Sequence, residues 1–213
     1  MSADGSFAKP AAVAKIFAGY PGWWAIAGGW AIDLFLGKVT REHADVEVAV
    51  LRYEQAKLQS FFTGWDTKKV LPSTKSLERW ESGEVLSLPV HELHARNTKG
   101  VEIELLLNET NNDGFWVFRR NNAVKQHFLH LRQENATGIP FLTPEIVLLY
   151  KATNPTISPN DTADFLNAKD RLQAYQKIGY GDLSSCAIRA MSGSSIFPEL
   201  LPVGMHRQTV MGV

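Results

Sequence analysis

Apolar and polar positions along the chain divide it into short pieces with two different periods. Residues 1–9 read as a leader. Residues 10–18 carry apolar positions at helical spacing, with Pro10 tolerated in a first turn. The string GYPG at 19–22 makes a turn. Residues 23–27 read as a buried strand, short, apolar and bounded by glycine. A helix is expected over 29–36, closed by Gly37. Residues 45–51 alternate, which turns Asp45 and Glu47 to one face of a strand and Val46, Val48 and Val50 to the other. An amphipathic helix over 53–62 closes at Gly64, and further strands are expected over 65–70 and 90–96. Residues 101–109 alternate again, with Glu102, Glu104 and Leu106 on one face. NNDG at 111–114 signals a turn, so that strand and residues 116–120 are expected to form a hairpin. Thr143, Pro144 and Glu145 have the order of a helix start. Helices are expected over 143–153, 161–177 and 182–191, with an extended tail from Ile196.

This order predicts an α+β fold: a small mixed-sheet domain over residues 1–130, then a C-terminal helical region over 131–213. Composition changes little, since 45% apolar and 21% charged residues are ordinary for a globular chain. Charge excludes more. With 22 basic and 22 acidic residues, the chain lacks the broad basic surface of a nucleic-acid binder. The single Cys186 rules out an internal disulfide and fits a cytoplasmic location. The most apolar run, 23–36, is shorter than the roughly 20 residues that span a bilayer and contains Asp33, so no membrane segment is expected. No signal peptide is expected either, because the N-terminal residues lack a basic start before an apolar stretch.

The candidate chemistry lies between Gly28 and Glu47. A Gly-Gly pair at a helix N-terminus suits phosphate, because free backbone N–H groups point outward there. Asp45 and Glu47, joined by a third acid from the 101–109 strand, would suit Mg²⁺, a hard cation that takes oxygen ligands. Glu104 is the preferred third acid and Glu102 the alternative. Lys38 and Arg41 lie in the loop beside the acid pair. Arg41 has two readings of equal weight, phosphate contact or a brace for its own loop. His43 and Asp33 read better as loop braces. Arg119 and Arg120 read more readily as structural residues at a strand end than as phosphate ligands. A cationic acceptor would want an acidic cleft, and Glu78, Glu81, Glu84 and Glu92 lie in the region expected to line one.

The string GGWAIDLFLGKVTREHADVE, 28–47, resembles the nucleotidyltransferases of the DNA polymerase β-like superfamily, in the aminoglycoside 2″-adenylyltransferase and lincosamide-modifying branch. WESGEVLSLPVHELHAR, VEIELLLNE, WVFRR and GIPFLTPEIVLLYKA are similar to segments of aminoglycoside adenylyltransferase-like proteins, so the looser resemblance runs from Trp23 to Ala168. The resemblance implies transfer of a nucleoside monophosphate, AMP from ATP or another triphosphate, onto a hydroxyl of a small acceptor such as an aminoglycoside or lincosamide. It implies two Mg²⁺ ions held by Asp45, Glu47 and Glu104. Gly28 and Gly29 would approach the phosphates, and Lys38, Arg41 or Lys151 would add positive charge. Lys151 stands where such enzymes direct a helix lysine at the nucleotide, though a surface lysine is an equal reading. Asp161 and Asp164 fall where relatives carry a Lys-Asp-x-x-Asp run, and are expected to serve as a cap and a helix–helix contact. One departure matters: the family carries aspartate where this chain has Glu47. Two rival functions follow, a catalytically impaired nucleotide-binding protein and a toxin-like enzyme acting on protein or tRNA.

Overall fold

The computed structural model describes residues 7–177. Helix α1 (Ala8–Phe17) leads to strand β1 (Trp24–Ile26) and helix α2 (Gly28–Leu36). Strand β2 (Glu47–Leu51) follows, then a 3-10 turn and helix α3 (Gln55–Phe61). Strands β3 (Asp66–Val70), β4 (Leu77–Arg79), β5 (Glu92–Arg96) and β6 (Glu102–Thr110) come next, then β7 (Phe115–Val117), β8 (Lys125–His127), β9 (Arg132–Glu134) and β10 (Pro140–Leu142). Helices α4 (Pro144–Ala152) and α5 (Pro159–Lys177) complete the described chain. The main sheet runs β4-β3-β5-β6-β2-β1-β10-β9, with β7 and β8 branching from β6. It is mixed, as expected: β2 pairs parallel with β6 and β1 parallel with β10, and the other pairings are antiparallel.

One apolar core unites these elements. Strand β2 is buried after its first residue, and the four apolar residues of α4 from Ile146 to Leu149 are all buried. Phe17 of α1 gathers Tyr20, Trp24, Phe61 and Phe62 into an aromatic cluster, with ring centroids 4.9–5.9 Å apart. Helices α4 and α5 pack on each other and on α2.

Several expectations shift. Asp45 is not in the strand: it lies in an exposed bend and β2 begins at Glu47. The cause is local, since the Trp30 indole donates to the Asp45 carbonyl (2.9 Å) and takes that group out of the ladder. The expected hairpin forms between β6 and β7, where Asn111 Oδ1 accepts from the backbone N–H of Asp113 and Phe115. The sheet does not end at residue 130, because β9 and β10 belong to it and β10 lies directly against β1. Thr143 is the N-cap residue of α4, but its hydroxyl makes no capping bond. Helix α5 begins at Pro159, two residues before the expected start. The expected helix over 182–191, Cys186 and the tail from Ile196 lie outside the described residues.

Candidate active site

The loop between α2 and β2 is held from within. Gly37 ends α2 with φ +73, and its N–H returns to the carbonyls of Asp33 and Leu34. Asp33 is fully buried and collects three donors: Thr40 N–H (3.1 Å), Thr40 Oγ1 (2.5 Å) and His43 Nε2 (2.7 Å). A carboxylate only accepts, so His43 donates through Nε2. The His43 ring packs on Trp30, with centroids 4.3 Å apart. Lys9 of α1 donates to the His43 carbonyl (2.8 Å). Asp33 and His43 thus brace the loop, and Asp45 emerges from it at the edge of β2.

Glu47 and Glu104 are register partners on the parallel strands β2 and β6. Burial, and then the Asp45 and Glu47 charges, push the Glu104 carboxyl up to about 7. Burial also raises Glu47; Lys151 opposes that shift and Asp45 adds to it. The Asp45 charge thus acts on both Glu47 and Glu104. Glu102, the alternative third acid, is exposed and turns toward His94 Nδ1 (3.3 Å).

The Glu47 carboxylate lies directly against Gly28. A Cβ on Gly28, whose φ is +58, would sit 1.4 Å from Glu47 Oε2. A Cβ on Gly29 would meet Arg41 Nη2 at 2.1 Å and the His43 ring at 2.6 Å. A side chain on Gly28 would displace the Glu47 carboxylate and strain a left-handed backbone, and one on Gly29 would displace the Arg41 guanidinium and the His43 ring.

Arg41 binds Asp164 of α5 through two bonds, Nε to Oδ1 (2.8 Å) and Nη2 to Oδ2 (2.9 Å). Lys151 of α4 reaches Asp161 (2.7 Å) and Asp164 (3.1 Å). Burial alone would lower the Lys151 ammonium, but these carboxylates hold it above its ordinary value. Asp161 also forms a capping box with Ser158, each accepting from the other's backbone N–H (3.0 and 3.1 Å). The expected cap and helix contact are both present. Lys38 is not brought here: it is exposed and lines neither of the cavities described next.

Two cavities meet at Glu47, Lys151 and Asp161, which line both. One, of about 510 Å³, is walled by Gly29, Trp30, the 41–45 loop and the start of α5. The other, of about 400 Å³, lies between Gly28, β6 and α4 and carries His91, Glu92, Arg119, Arg120 and Tyr150. Sequence reasoning missed two residues of this neighbourhood. Glu92, expected only as part of an acidic cleft, and His94 meet Glu104 with ligand atoms within 4.8 Å of one another. The one-residue alternation of Glu92, His94 and Arg96 was the available signal, but its register against β6 is non-local. Glu78 and Glu81 are exposed, and Glu84 is paired with Lys69, so the expected acidic cleft is not assembled.

The fold is that of known antibiotic-modifying enzymes. A crystal structure of the lincosamide antibiotic adenylyltransferase LnuA with lincomycin bound is similar at 18% identity and a TM-score of 0.52, over 76% of this chain and 94% of that one. The solution structure of the antibiotic-resistance factor ANT(2″)-Ia is similar at 15% identity and a TM-score of 0.54, over 88% and 92%. A crystal structure of ANT(2″)-Ia with adenylyl-2″-tobramycin is similar at 15% and 0.50, over 84% and 92%. No curated protein sequence matches. The family model for aminoglycoside-2″-adenylyltransferase matches residues 11–142, more than half of the chain, and the chain belongs to that family of nucleotidyltransferase enzymes.

Proposed function

We propose that the chain moves a nucleoside monophosphate, AMP from ATP, onto a hydroxyl of a small acceptor, with pyrophosphate leaving. The observation that supports this reading is the register pairing of Glu47 with Glu104, both acted on by the Asp45 charge, near the N-terminus of α2. The donor set fits Mg²⁺, being all carboxylate oxygen, and Glu47 and Glu104 both hold their protons more tightly than ordinary carboxyls. Asp45, Glu47 and Glu104 would hold two ions, which when bound supply charge neutralisation and a more acidic acceptor hydroxyl. Gly28 and Gly29 bring backbone N–H groups to the phosphates. Arg41 and Lys151, both at the cavity walled by Gly29, add positive charge to the triphosphate. Glu104 takes the acceptor's proton as its oxygen bonds to the α-phosphorus and the bond to pyrophosphate breaks. LnuA and ANT(2″)-Ia make lincosamides and aminoglycosides the first acceptors to try.

A second reading rests on Glu47 itself. Its carboxylate occupies the space over Gly28 that a phosphate would approach, which suits a nucleotide-binding protein without turnover. Labelled triphosphates, Mg²⁺ and a pool of both antibiotic classes, run beside Asp45→Asn, separate the two. Label on an acceptor only with Asp45 intact establishes the transferase. Mg²⁺-dependent triphosphate binding by calorimetry without transfer favours the second reading. Neither transfer nor binding would overturn both.

A further inference from the structure

Strand β5 carries ligand-type side chains that the transferase reading does not use. Leu93 and Ala95 are buried, and Glu92 and His94 alternate with them on the opposite face. Strand β5 pairs antiparallel with β6, and the register sets His94 opposite Glu104. On its other side Glu104 is opposite Glu47 of β2. Register partners share a face of the sheet, so His94, Glu104 and Glu47 stand in one row across three strands. Glu104 is thus flanked by Glu47 from β2 and by Glu92 and His94 from β5. Among the described residues, Glu92, His94 and Glu104 are the one group of three whose ligand atoms all lie within 4.8 Å of one another.

The spacing suits one small dication. His94 Nε2 stands 3.1 Å from Glu92 Oε1 and 3.8 Å from Glu104 Oε1. Two donors held tetrahedrally at about 2.0–2.2 Å from an ion are roughly 3.3–3.6 Å apart, and the two distances bracket that range. The other ring nitrogen is engaged separately. Nδ1 lies 3.3 Å from Glu102 Oε1, and a carboxylate only accepts, so Nδ1 donates to it. A histidine that ligates a metal through one nitrogen almost always donates through the other, often to a carboxylate that fixes its ring and tautomer. Glu102 stands in that relation to His94 and leaves Nε2 to face Glu92 and Glu104. The three side chains are between 20 and 29% exposed, which leaves an ion a way in from solvent.

We propose that Glu92, His94 and Glu104 form a second metal site, for a divalent transition cation of the Zn²⁺ or Co²⁺ class, with Glu102 orienting its histidine. An imidazole nitrogen favours such ions over Mg²⁺, which takes oxygen ligands. The site lies on the β5 side of Glu104 and shares that carboxylate with the Mg²⁺ position on the β2 side. An ion bound there withholds Glu104 from the acceptor's proton, so the site makes transfer sensitive to transition metals. That consequence rests on the nucleotidyltransferase reading; the site itself rests on His94 and its three carboxylates.

Calorimetry on the full chain tests this with Zn²⁺ and Mg²⁺ alone as probes, and a non-hydrolysable ATP analogue with Mg²⁺ in a separate arm. Zn²⁺ should bind about tenfold or more tightly than Mg²⁺. His94→Ala should weaken Zn²⁺ by about tenfold or more and leave the ATP analogue within about twofold. Glu102→Ala, at an exposed position, should weaken Zn²⁺ by about tenfold although Glu102 is not a ligand. Co²⁺ gives a second readout, a visible absorption band from bound ligands that His94→Ala should abolish while thermal unfolding stays cooperative. Zn²⁺ binding no tighter than that of Mg²⁺, or unchanged by His94→Ala, would overturn the proposal and leave His94 as a counter-charge to its carboxylates. Equal weakening of Zn²⁺ and the ATP analogue by His94→Ala would assign His94 to the Mg²⁺ position and overturn a second site. His94-dependent Zn²⁺ binding with no analogue binding at all would keep the site and remove the transferase reading instead.

Discussion

Gly28 satisfies two demands at one residue. Its backbone sits at φ +58, and its missing side chain makes room for the Glu47 carboxylate. Gly28→Ala therefore acts in two separable ways. A non-glycine residue in the left-handed region costs about 1–2 kcal/mol, and that cost appears in urea unfolding whatever Glu47 does. The clash with Glu47 Oε2 is relieved by swinging a flexible carboxylate aside, which displaces a proposed metal ligand, so Mg²⁺-dependent nucleotide binding should fall well beyond the loss of stability. Glu47→Asp draws the carboxylate back by one methylene. In that background Gly28→Ala should keep its stability cost while losing much of its effect on binding, a coupling that a double-mutant cycle reads directly. Unchanged nucleotide binding in Gly28→Ala would show that Glu47 is not a ligand. Gly28, Asp45 and Glu47 were legible in the sequence because their spacing lies within one short stretch. The meeting of Glu92 and His94 with Glu104 was not, because it depends on a partner strand whose register no local pattern encodes.

At the scale of elements, long periodic segments were readable, and three-residue strands only where glycines or a turn signal bounded them, as at β1 and β7. α2, α4 and β6 follow their apolar periods, whereas β8, β9 and β10 are too short to show alternation, and Pro140 disguises the start of β10. The order Thr143-Pro144-Glu145 correctly marked the start of α4, yet the side chains there do not act as that order suggests. Glu145 is buried, and burial pushes its carboxyl up to about 6, against the help a helix N-terminus gives to a negative charge. The sign follows from proton counting. Between the ordinary carboxylate value of 4.5 and about 6, the folded state keeps a proton that the unfolded chain has lost. The stability from Glu145 is therefore full below that window and declines as pH rises through it. The decline amounts to about 2 kcal/mol at 1.36 kcal/mol per unit. Glu145→Gln cannot ionise, so its unfolding free energy should be flatter across the window and should exceed that of the parent at pH 8. Parallel pH profiles for the two proteins would show that burial does not govern this group.

The whole molecule depends on its sheet continuing past residue 130. Strand β1 has β2 on one side and β10 on the other, with Ile26 opposite Phe141. Helix α2, which carries Gly28 and Gly29, packs against α4, α5 and β10. The lysine and aspartates that meet Arg41 and face Glu47 come from α4 and α5 as well. Both cavities are therefore built jointly by residues from the two sides of position 130, and the site has no complete half. The energetics agree. Ile146, Val147, Leu148 and Leu149 are each at most 3% exposed, and at roughly 1.5–3 kcal/mol per buried side chain they contribute on the order of 6–12 kcal/mol, comparable to the net stability of a typical domain. A chain of residues 1–130, which removes that helix and uncovers an edge of β1, should show no cooperative urea transition by far-ultraviolet circular dichroism and no nucleotide binding. A cooperative transition in that fragment would mean that strands β1–β8 and helices α1–α3 hold together without their cover. Supplying residues 131–213 as a separate chain should restore both signals only if β10 can reinsert beside β1, so recovery on mixing, absent with a second chain carrying Phe141→Asp, would locate the dependence at that strand.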